Sequence, residues 1–541
     1  MQVSIDSMIS RLLQARHGLL ENVIYYLGKQ PKATYIATAI ALYIGTKIYN
    51  AMSCPNTLRH IAYVPAPLWM LSLMRGETTL DRTKRLLISR MTETNGMVSK
   101  FSQLGWEVTV MNPKAIKTLL QRTDLFPKSE VTIDNFDSRS LIRRYFGKTN
   151  LTLANGHEWM RRRKIANPAF KRALPVKMFA RLTSQASEQL DQSNGAPVMI
   201  APMMQRFTLD VIGLAGFGFD LNSISSPDGQ WVTAYNEVAD GFMAFPFIFL
   251  PVLETGFIHF FPNRRKKHEQ LSKLDGLFES IIEHKRETLK KAKSESVDDN
   301  EKDLLTLLME AGRGEDHDSE PLTNQELRDE LVLFFFAGHD TTSHALTCAL
   351  YYLAVNPDIQ EKARQEVIDV LGDTQEENYP TIQQLRQLPY LTRVMKETLR
   401  IASPPVNLVQ RIAQHDTELE GMAIPKDTLL TVDFYAIHHN PHLWITPEVF
   451  DPDRFNEGGE LDCMDSSYAY LPFGGGGRQC IAMNFSIAEQ KVVLSGLLRN
   501  YDISLPENSI HKHSLQFGPS TGLIVPTKDL ELKFVRRNLV F

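Results

Sequence analysis

The chain has 541 residues, of which 43% are hydrophobic, and its formal net charge is −4. This near-neutral balance gives no reason to expect nucleic acid as a partner. Four cysteines are too few for a disulfide scaffold, and they fit a reducing compartment.

The N-terminal residues 1–57 are predicted to form an amphipathic segment, a membrane anchor and the start of a hinge into a body spanning residues 58–541. Residues 33–46 carry no charge, and Lys47 follows them. A bilayer span needs about 20 mostly apolar residues, so Ala33–Met52 is long enough only if the Lys47 ammonium snorkels to the headgroups. A buried or surface helix is the alternative. Acidic residues in this segment argue against a mitochondrial presequence.

The body shows mainly helical periodicity with a few short β-type runs. The charged stretch Lys285–Asp303 has few apolar residues and is predicted to be a solvated loop. We therefore expect a mainly α protein with small β-sheets at one side. The predicted helices are Glu158–Asn167, Val176–Asn194, Thr323–Val355 and Pro357–Leu371, and the predicted strands are Glu107–Met111, Leu429–Phe434, Leu515–Pro526 and Leu530–Val535.

The longest predicted helix carries small and polar residues in an otherwise apolar middle. It begins with a capping box at Thr323 and ends before Pro357, because the residue ahead of a proline disfavours helix. The interruption is AGHDTT, Ala337–Thr342. One interpretation is a helix–helix contact in which Thr341 bonds a carbonyl of its own helix. The other is a flat, bulky ligand against the helix, with Asp340 and Thr341 handling protons. The helix by itself favours neither.

A second unusual stretch, PFGGGGRQCIA, places four glycines and Arg478 before Cys480. Glycines admit positive φ and let a ligand approach the main chain. A predicted helix follows, so the sulfur would lie at a helix N-terminus, where free N–H groups stabilise a thiolate. No second cysteine lies nearby in sequence, which disfavours zinc and iron–sulfur clusters. A lone thiolate fits the proximal ligand of a haem. A structural cysteine is the alternative, but it leaves the arginine and the glycines unexplained.

These residues closely resemble the haem-binding signature of the cytochrome P450 superfamily, Phe-x-x-Gly-x-Arg-x-Cys-x-Gly. Phe473, Gly476, Arg478 and Cys480 match this signature, and Ala482 replaces its last glycine. One methyl group at a helix start is expected to be tolerated.

Three further segments resemble the family in the order that it requires. AGHDTT is similar to its oxygen-activation segment, ETLR (Glu397–Arg400) to its Glu-x-x-Arg, and PDRF to the segment that supplies Arg454. The resemblance runs from about Leu58 to the C-terminus. It indicates a membrane-bound, eukaryotic microsomal type with a fungal-like character. The implied fold is a triangular, α-rich prism whose long central helix lies over the haem.

The resemblance implies haem b as the cofactor, with Cys480 as the axial thiolate and Phe473 shielding the sulfur. The two haem propionates need basic partners. Trp159 and Arg163 lie four apart on one helical face and resemble the family's Trp-x-x-x-Arg. Arg411 and Arg478 are the other propionate candidates.

Two further groups of charged residues are expected to serve roles other than binding the propionates. Arg161, Arg162 and Lys164 are predicted to form a solvated basic face, with docking of an acidic electron donor as the alternative. Glu397, Arg400 and Arg454 are expected to form a buried, charge-paired cluster that serves folding and haem retention.

The resemblance assigns proton delivery to Asp340 and Thr341, with Ala337 and Gly338 leaving room for oxygen and substrate. A lone histidine such as His339 is more often a core or pocket residue than a ligand. The pocket is expected to be lined by Phe334, Ala337, Val406, Asn407, Leu408 and Thr521.

Substrate entry is expected from the bilayer. The aromatic stretch Phe242–Pro262 is predicted to be a lid that dips into the membrane, with a core segment as the alternative. Asn407 is placed to hydrogen-bond a keto or hydroxyl group, which favours a steroid or terpenoid over a fatty-acid-like molecule.

The implied activity is hydroxylation of a lipophilic small molecule with O2. Electrons would come from NADPH through a separate NADPH–cytochrome P450 reductase, with cytochrome b5 as a second candidate donor. The expected location is the endoplasmic reticulum membrane, with the catalytic domain facing the cytosol. Two rival functions remain: a hydroperoxide isomerase or dehydratase on the same fold, and a haem sensor or lipid binder without enzymatic activity.

Overall fold

The computed structural model describes residues 31–129, 137–171, 174–242, 244, 246–247, 250–291, 302–310, 322–373, 379–518, 524 and 527–537. Helices dominate this part of the chain. They are α1 Lys32–Met52, α2 Ala66–Met74, α3 Thr79–Arg82, α4 Pro113–Gln121, α5 Leu141–Phe146, α6 Gly156–Lys171, α7 Val176–Gln192, α8 Ile200–Ile212, α9 Gln230–Ala239, α10 Pro251–Thr255, α11 Pro262–Lys291, α12 Leu304–Glu310, α13 Asn324–Val355, α14 Pro357–Leu371, α15 Ile382–Arg386, α16 Pro389–Ile401, α17 Phe434–His438 and α18 Met483–Asn500.

The strands form small sheets beside the helices. In the described ranges β1 Met97–Ser102, β2 Gly105–Val110, β7 Leu429–Thr431 and β4 Arg411–Ile412 form one sheet in that order. A second sheet has the order β3–β9–β8, and a hairpin pairs β5 with β6. These strands are β3 Val198–Met199, β5 Thr417–Leu419, β6 Met422–Ile424, β8 Tyr501–Ser504 and β9 Glu531–Arg536. The pairing of Arg411 with Leu430 fixes the position of the Arg411 backbone.

Helix α13 connects the two largest hydrophobic clusters of the described residues. Its N-terminal half, including Phe334 and Phe335, packs in a cluster with α9, α11 and α12. Its C-terminal half, including Leu346 and Leu350, packs in a cluster with α7, α16 and α18. The capping box at Thr323 is present as predicted. This burial from both ends makes α13 the central helix of the body.

Most predicted elements are confirmed. The helix Pro357–Leu371 is present as predicted, and the helices beginning at Val176 and Thr323 differ by two residues or less. The strand predicted over Leu429–Phe434 ends at Thr431, since α17 begins at Phe434. Within the predicted strand Leu515–Pro526, residues 519–523 and 525–526 lie outside the described residues, and the described ones form only isolated bridges.

The predicted loop Lys285–Asp303 is wrong at its start. Helix α11 continues to Lys291, and its Lys285 is buried with its ammonium 2.6 Å from Asp303. This long-range ion pair compensates for the low apolar content of the stretch. Residues 292–301 lie outside the described residues.

The predicted anchor Ala33–Met52 coincides with α1, none of whose residues is buried. None of the helices in the described ranges combines the length and the apolarity that crossing a bilayer requires. The predicted transmembrane span is therefore not confirmed. The division of the chain at residue 57 stays a prediction.

Candidate functional site

A cavity of about 350 Å³ lies between the central helix α13 and the loop that precedes α18. Helices α4, α6 and α16 and strands β4 and β7 close its sides. Most of its walls are apolar. The α13 side contributes Leu333, Phe334, Ala337, Gly338, Thr341, Thr342 and Ala345, and the opposite side contributes Pro472, Phe473, Gly474, Gly475, Arg478, Gln479, Cys480, Ile481 and Ala482.

Cys480 is exposed and lines the cavity. Its backbone N–H donates to the Phe473 carbonyl over 2.9 Å, which closes the loop. Burial raises the pKa of the Cys480 thiol, while the backbone N–H of Ala482 and the charge of Arg163 act in the opposite direction. The local N–H donors alone therefore do not make the free thiol acidic, and coordination to a metal would supply the missing stabilisation of the thiolate.

Steric constraints require glycines before Cys480. Gly474 and Gly476 adopt φ of 70° and 67°, which side chains rarely tolerate. A Cβ at Gly476 would lie 2.9 Å from the carbonyl oxygen of Leu120. Ala482 has φ −95°, which any residue adopts, so its methyl group introduces no backbone strain. An alanine is therefore compatible with this backbone position.

Four cationic side chains line one side of the cavity: Lys128, Arg163, Arg411 and Arg478. We call them the cation cluster. Burial lowers the pKa of Arg411 and of Arg478 to about 10, and it lowers that of Arg163 as well. None of the described residues that line the cavity is acidic, and none of the four makes an ion pair within the described part of the chain. The cluster thus concentrates positive charge that none of the described acidic residues neutralises.

Aromatic and amide groups order the cation cluster. The Arg478 guanidinium lies over the Trp159 ring, 4.1 Å from its centroid. Its Nη2 donates to Asn155 over 3.3 Å, whereas its buried Nη1 has no hydrogen-bond partner among the described residues. An Arg411 nitrogen, Nη1, donates to the Phe126 carbonyl over 2.9 Å. The arrangement leaves an oriented N–H donor for an absent acceptor.

Lys128 is a site residue that the sequence did not reveal. Burial is the main cause that lowers its pKa well below the ordinary value, followed by the charges of Arg478, Arg411 and Arg163. Asn155 accepts from its backbone N–H and donates to its carbonyl. No spacing pattern links residue 128 to the other cations, so only the fold brings them together.

Arg162 contradicts the predicted basic face. Its guanidinium is buried and contacts Glu330 at 2.6 Å, Glu326 at 2.8 Å and Glu158 at 2.5 Å. Arg161 also reaches Glu158 and Glu326. Arg161 and Arg162 are therefore not solvated as predicted. Their ion pairs with Glu326 and Glu330 connect α6 to α13 instead.

The AGHDTT segment shows the helix contact of one interpretation and the cavity-lining position that the other requires. The Thr341 hydroxyl donates to the Ala337 carbonyl over 2.7 Å, and Gly338 lies so close to Ile212 of α8 that a Cβ there would be 2.8 Å away. This is the helix contact. Ala337 and Thr341 also line the cavity, as the ligand interpretation requires. The space attributed to Gly338 is partly taken by Ile212.

Asp340 does not line the cavity with Thr341. Its carboxylate accepts a hydrogen bond from the hydroxyl of Tyr235 and lies 3.0 Å from Nε2 of His339. His339 is fully buried, as expected for a core histidine.

The predicted pocket residues divide into three groups. Phe334, Ala337, Asn407 and Leu408 line the cavity. Val406 does not, because it packs with Tyr435 in a separate small cluster, and its neighbour Pro405 lines the cavity instead. Thr521 lies outside the described residues.

The cluster of Glu397, Arg400 and Arg454 forms as predicted. The Glu397–Arg400 pair is fully buried, with contacts of 2.7 and 2.8 Å, and Arg454 reaches Glu397 at 3.3 Å. Arg454 also contacts Glu460, which the sequence did not reveal as a partner. Backbone carbonyls of residues 438 and 447 accept further Arg400 bonds. Two arginines and two glutamates balance the cluster.

Comparison with known proteins identifies the chain's relatives. A family model described as "Cytochrome P450" matches residues 68–534. Human cytochrome P450 3A7 is 31% identical over 409 residues, which covers 73% of this chain and 76% of that protein. Rat cytochrome P450 3A9 is 31% identical, with coverage of 73% and 78%. Cytochrome P450 4c21 of Blattella germanica is 32% identical, with coverage of 73% and 77%. The fungal-like character stays a prediction.

Proposed function

The chain belongs to the cytochrome P450 family, and on that premise we propose that it hydroxylates a lipophilic small molecule of the steroid, terpenoid or fatty-acid type. Membership makes it a monooxygenase that uses haem b with a cysteine thiolate ligand, O2 and electrons derived from NADPH. Per turnover, RH, O2, NADPH and H⁺ give ROH, H2O and NADP⁺. The observation that carries the proposal is one cavity lined by Cys480, the cation cluster and Thr341.

The residues of the cavity fit a haem. Its apolar walls suit a porphyrin, and the four cations beside an acid-free lining suit the two propionates. The buried, unpartnered Nη1 of Arg478 is a donor for one of them. Cys480 is the sulfur ligand that opens into the cavity, and Phe473 holds its loop. Bound there, the haem supplies the electron-transfer and oxygen-activating chemistry.

The chain's own residues position the hydrogen-bond donors, supply protons and exclude water from the cavity. Trp159 holds the Arg478 guanidinium by a cation–π contact, which fixes that donor toward the propionates. Thr341 presents a hydroxyl to the cavity, and Asp340 next to it serves as the acid that replenishes protons. Phe334, Ala337 and Leu408 exclude water and contact the substrate.

Asn407 supports a substrate with a polar group. Its Oδ1 is buried without a hydrogen-bond partner among the described residues, and the residue lines the cavity. Because an unpaired buried acceptor is costly, a hydroxyl donor on the substrate would stabilise it. This favours a hydroxylated steroid or terpenoid.

The partner and the location follow from the same proposal. Electrons come through NADPH–cytochrome P450 reductase, with cytochrome b5 as a second donor. The protein attaches to the endoplasmic reticulum membrane with its catalytic body in the cytosol. Exposed apolar side chains support this attachment: Tyr35, Ile36, Ile40, Leu42, Tyr43, Ile44, Ile48 and Tyr49 on α1, and Leu250, Val252, Phe257 and Phe260 near α10.

Product analysis tests the proposal. The purified holoenzyme would be incubated with a panel of steroids, terpenoids and fatty acids, with and without NADPH and the reductase. We expect a product heavier by one oxygen atom only when both are present. Rearrangement of added hydroperoxides without NADPH would instead indicate isomerase chemistry and contradict the proposal.

A further inference from the structure

The Asp340 carboxylate points away from the cavity that Thr341 lines. Thr341 lines the cavity, whereas the Asp340 carboxylate points to Tyr235 on α9. One fifth of the Asp340 side chain is exposed, so water reaches it. The carboxylate is thus partly solvent-exposed, and the buried Tyr235 hydroxyl fixes its other side.

Tyr235 is the group that fixes this carboxylate. Burial, and then the Asp340 charge, raise the pKa of Tyr235 well above its ordinary value, so the phenol keeps its proton and donates. His339 also contacts the carboxylate, with Nε2 3.0 Å away, but this atom makes no aligned hydrogen bond to any described residue. Its Nδ1 lies 2.5 Å from the Phe335 carbonyl, which can only accept, so Nδ1 carries a proton.

The Tyr235 ring is itself immobilised. It is almost fully buried and makes edge contacts with His339 and Phe335, with centroids 4.5 and 5.6 Å apart. Its hydroxyl is therefore placed by the packing of α9 against α13 and not by solvent. A donor held this firmly restricts the carboxylate to one orientation.

We propose that Tyr235 is a positioning residue for proton delivery, which holds the Asp340 carboxylate between water and the cavity-lining Thr341. This inference rests on the proposed function, because it requires Asp340 as the acid. It makes α9 part of the proton supply, although Tyr235 does not line the cavity in the described part of the chain.

The reaction without an organic substrate reports on proton supply. With O2, NADPH and H⁺, one NADPH per O2 gives H2O2 and NADP⁺. Two NADPH and two H⁺ per O2 give two H2O and two NADP⁺. The second outcome would break the O–O bond and would consume twice as many protons per O2 as the first, so it would depend more strongly on the protons that the chain supplies. An acid that is out of position therefore shifts the products from water toward H2O2.

The experiment measures NADPH and O2 consumption and H2O2 release by the full-length holoenzyme with the reductase, without added organic substrate. Tyr235→Phe keeps the ring and its packing but removes the donor. Tyr145→Phe is the matched control, because the Tyr145 hydroxyl is buried nearby without a hydrogen-bond partner in the described structure. Asp340→Asn, Thr341→Ala and the double variant Tyr235→Phe/Asp340→Asn complete the set, with all rates normalised to haem content.

We expect Tyr235→Phe to lower the ratio of water to H2O2 about fivefold, as loss of one hydrogen bond implies. Tyr145→Phe should match the wild type, and in the Asp340→Asn background the Tyr235 substitution should have no further effect. Equal ratios for the two tyrosine variants, or a Tyr235 effect that persists in the Asp340→Asn background, would overturn the inference. If Asp340→Asn and Thr341→Ala both leave the ratio unchanged, the proton roles in the proposed function fail, and the inference fails with them.

Discussion

Two groups of buried arginines in this protein differ in how their charge is balanced. Arg400 and Arg454 lie against Glu397 and Glu460, and backbone carbonyls take their remaining N–H groups. In the cation cluster Arg411 is similarly buried, whereas Lys128, Arg163 and Arg478 are half-buried, and no acidic side chain among the described residues lines their cavity. The first group is charge-balanced by described residues, whereas the second has no acidic partner among them.

This difference distinguishes arginines that stabilise the fold from arginines that are available to bind a ligand. A buried ion pair contributes little net stability, but breaking it is costly because one charge is left unpaired. A buried cation without a partner already carries that cost in the free protein. Removing such a cation should therefore leave the free protein stable and weaken ligand binding. The substitutions below test this distinction, from the largest effect to the smallest.

Glu397→Ala should have the largest effect, because it leaves the fully buried Arg400 without its carboxylate. We expect a loss of about 3–5 kcal/mol in the free energy of unfolding, with little soluble haem protein recovered. Denaturant unfolding and haem content measure this. Glu269→Ala is the matched control, since Glu269 and its partner Arg265 are each 62% exposed. A similar small loss for both variants would contradict the structural role of Glu397.

Glu330 is one of three acids that surround the buried Arg162, and we expect its substitution to have an intermediate effect on stability. Burial, opposed by Arg162, raises the pKa of Glu330 to about 6. Because the folded pKa lies above the ordinary value, the protonated side chain adds stability at low pH that is lost as the pH rises through 6. The loss amounts to about 2 kcal/mol.

Glu330→Gln should remove that dependence, because glutamine does not titrate. Unfolding of both proteins at pH 5, 6 and 7 measures it. We expect the stability of the variant relative to the wild type to increase with pH over this range. A constant difference would show that Glu330 does not titrate there.

Arg411→Met should act on haem binding and not on the free protein. We expect haem affinity to fall about tenfold, which corresponds to about 1.4 kcal/mol. The apoprotein should keep its unfolding midpoint, because relief of the buried charge offsets the lost bond to Phe126. Haem titration and apoprotein unfolding check this, with Arg265→Met as the exposed control. A destabilised apoprotein with normal haem affinity would place Arg411 with the structural arginines.

The sequence predicted those features that depend on local pattern. The loop around Cys480, the capping box at Thr323 and the ion pair of Glu397 with Arg400 are each set by a few adjacent residues. The P450 resemblance, carried by the same motifs, predicted the fold class that the structure and the relatives confirm.

The missed features depend on partners far away in the chain. Arg162 is buried only because Glu330, 168 residues later, lies opposite it. Asn155 connects the backbone of Lys128 with Arg478 of the cation cluster, and Lys285 is paired with Asp303, 18 residues later. Val406 does not line the cavity as expected, because it packs against Tyr435, and its neighbour Pro405 lines the cavity instead. Such pairings leave no spacing pattern for sequence analysis to detect.

If the cation cluster binds the two propionates of a haem held beside Cys480, neutral propionates should bind less tightly. The apoprotein would be titrated with haem and with haem dimethyl ester, in which both propionates are neutral. We predict that the wild type binds haem at least about tenfold more tightly than the ester, and that this preference falls when Arg411 and Arg478 are replaced by Met. Equal affinities of the wild type for the two porphyrins would contradict the claim.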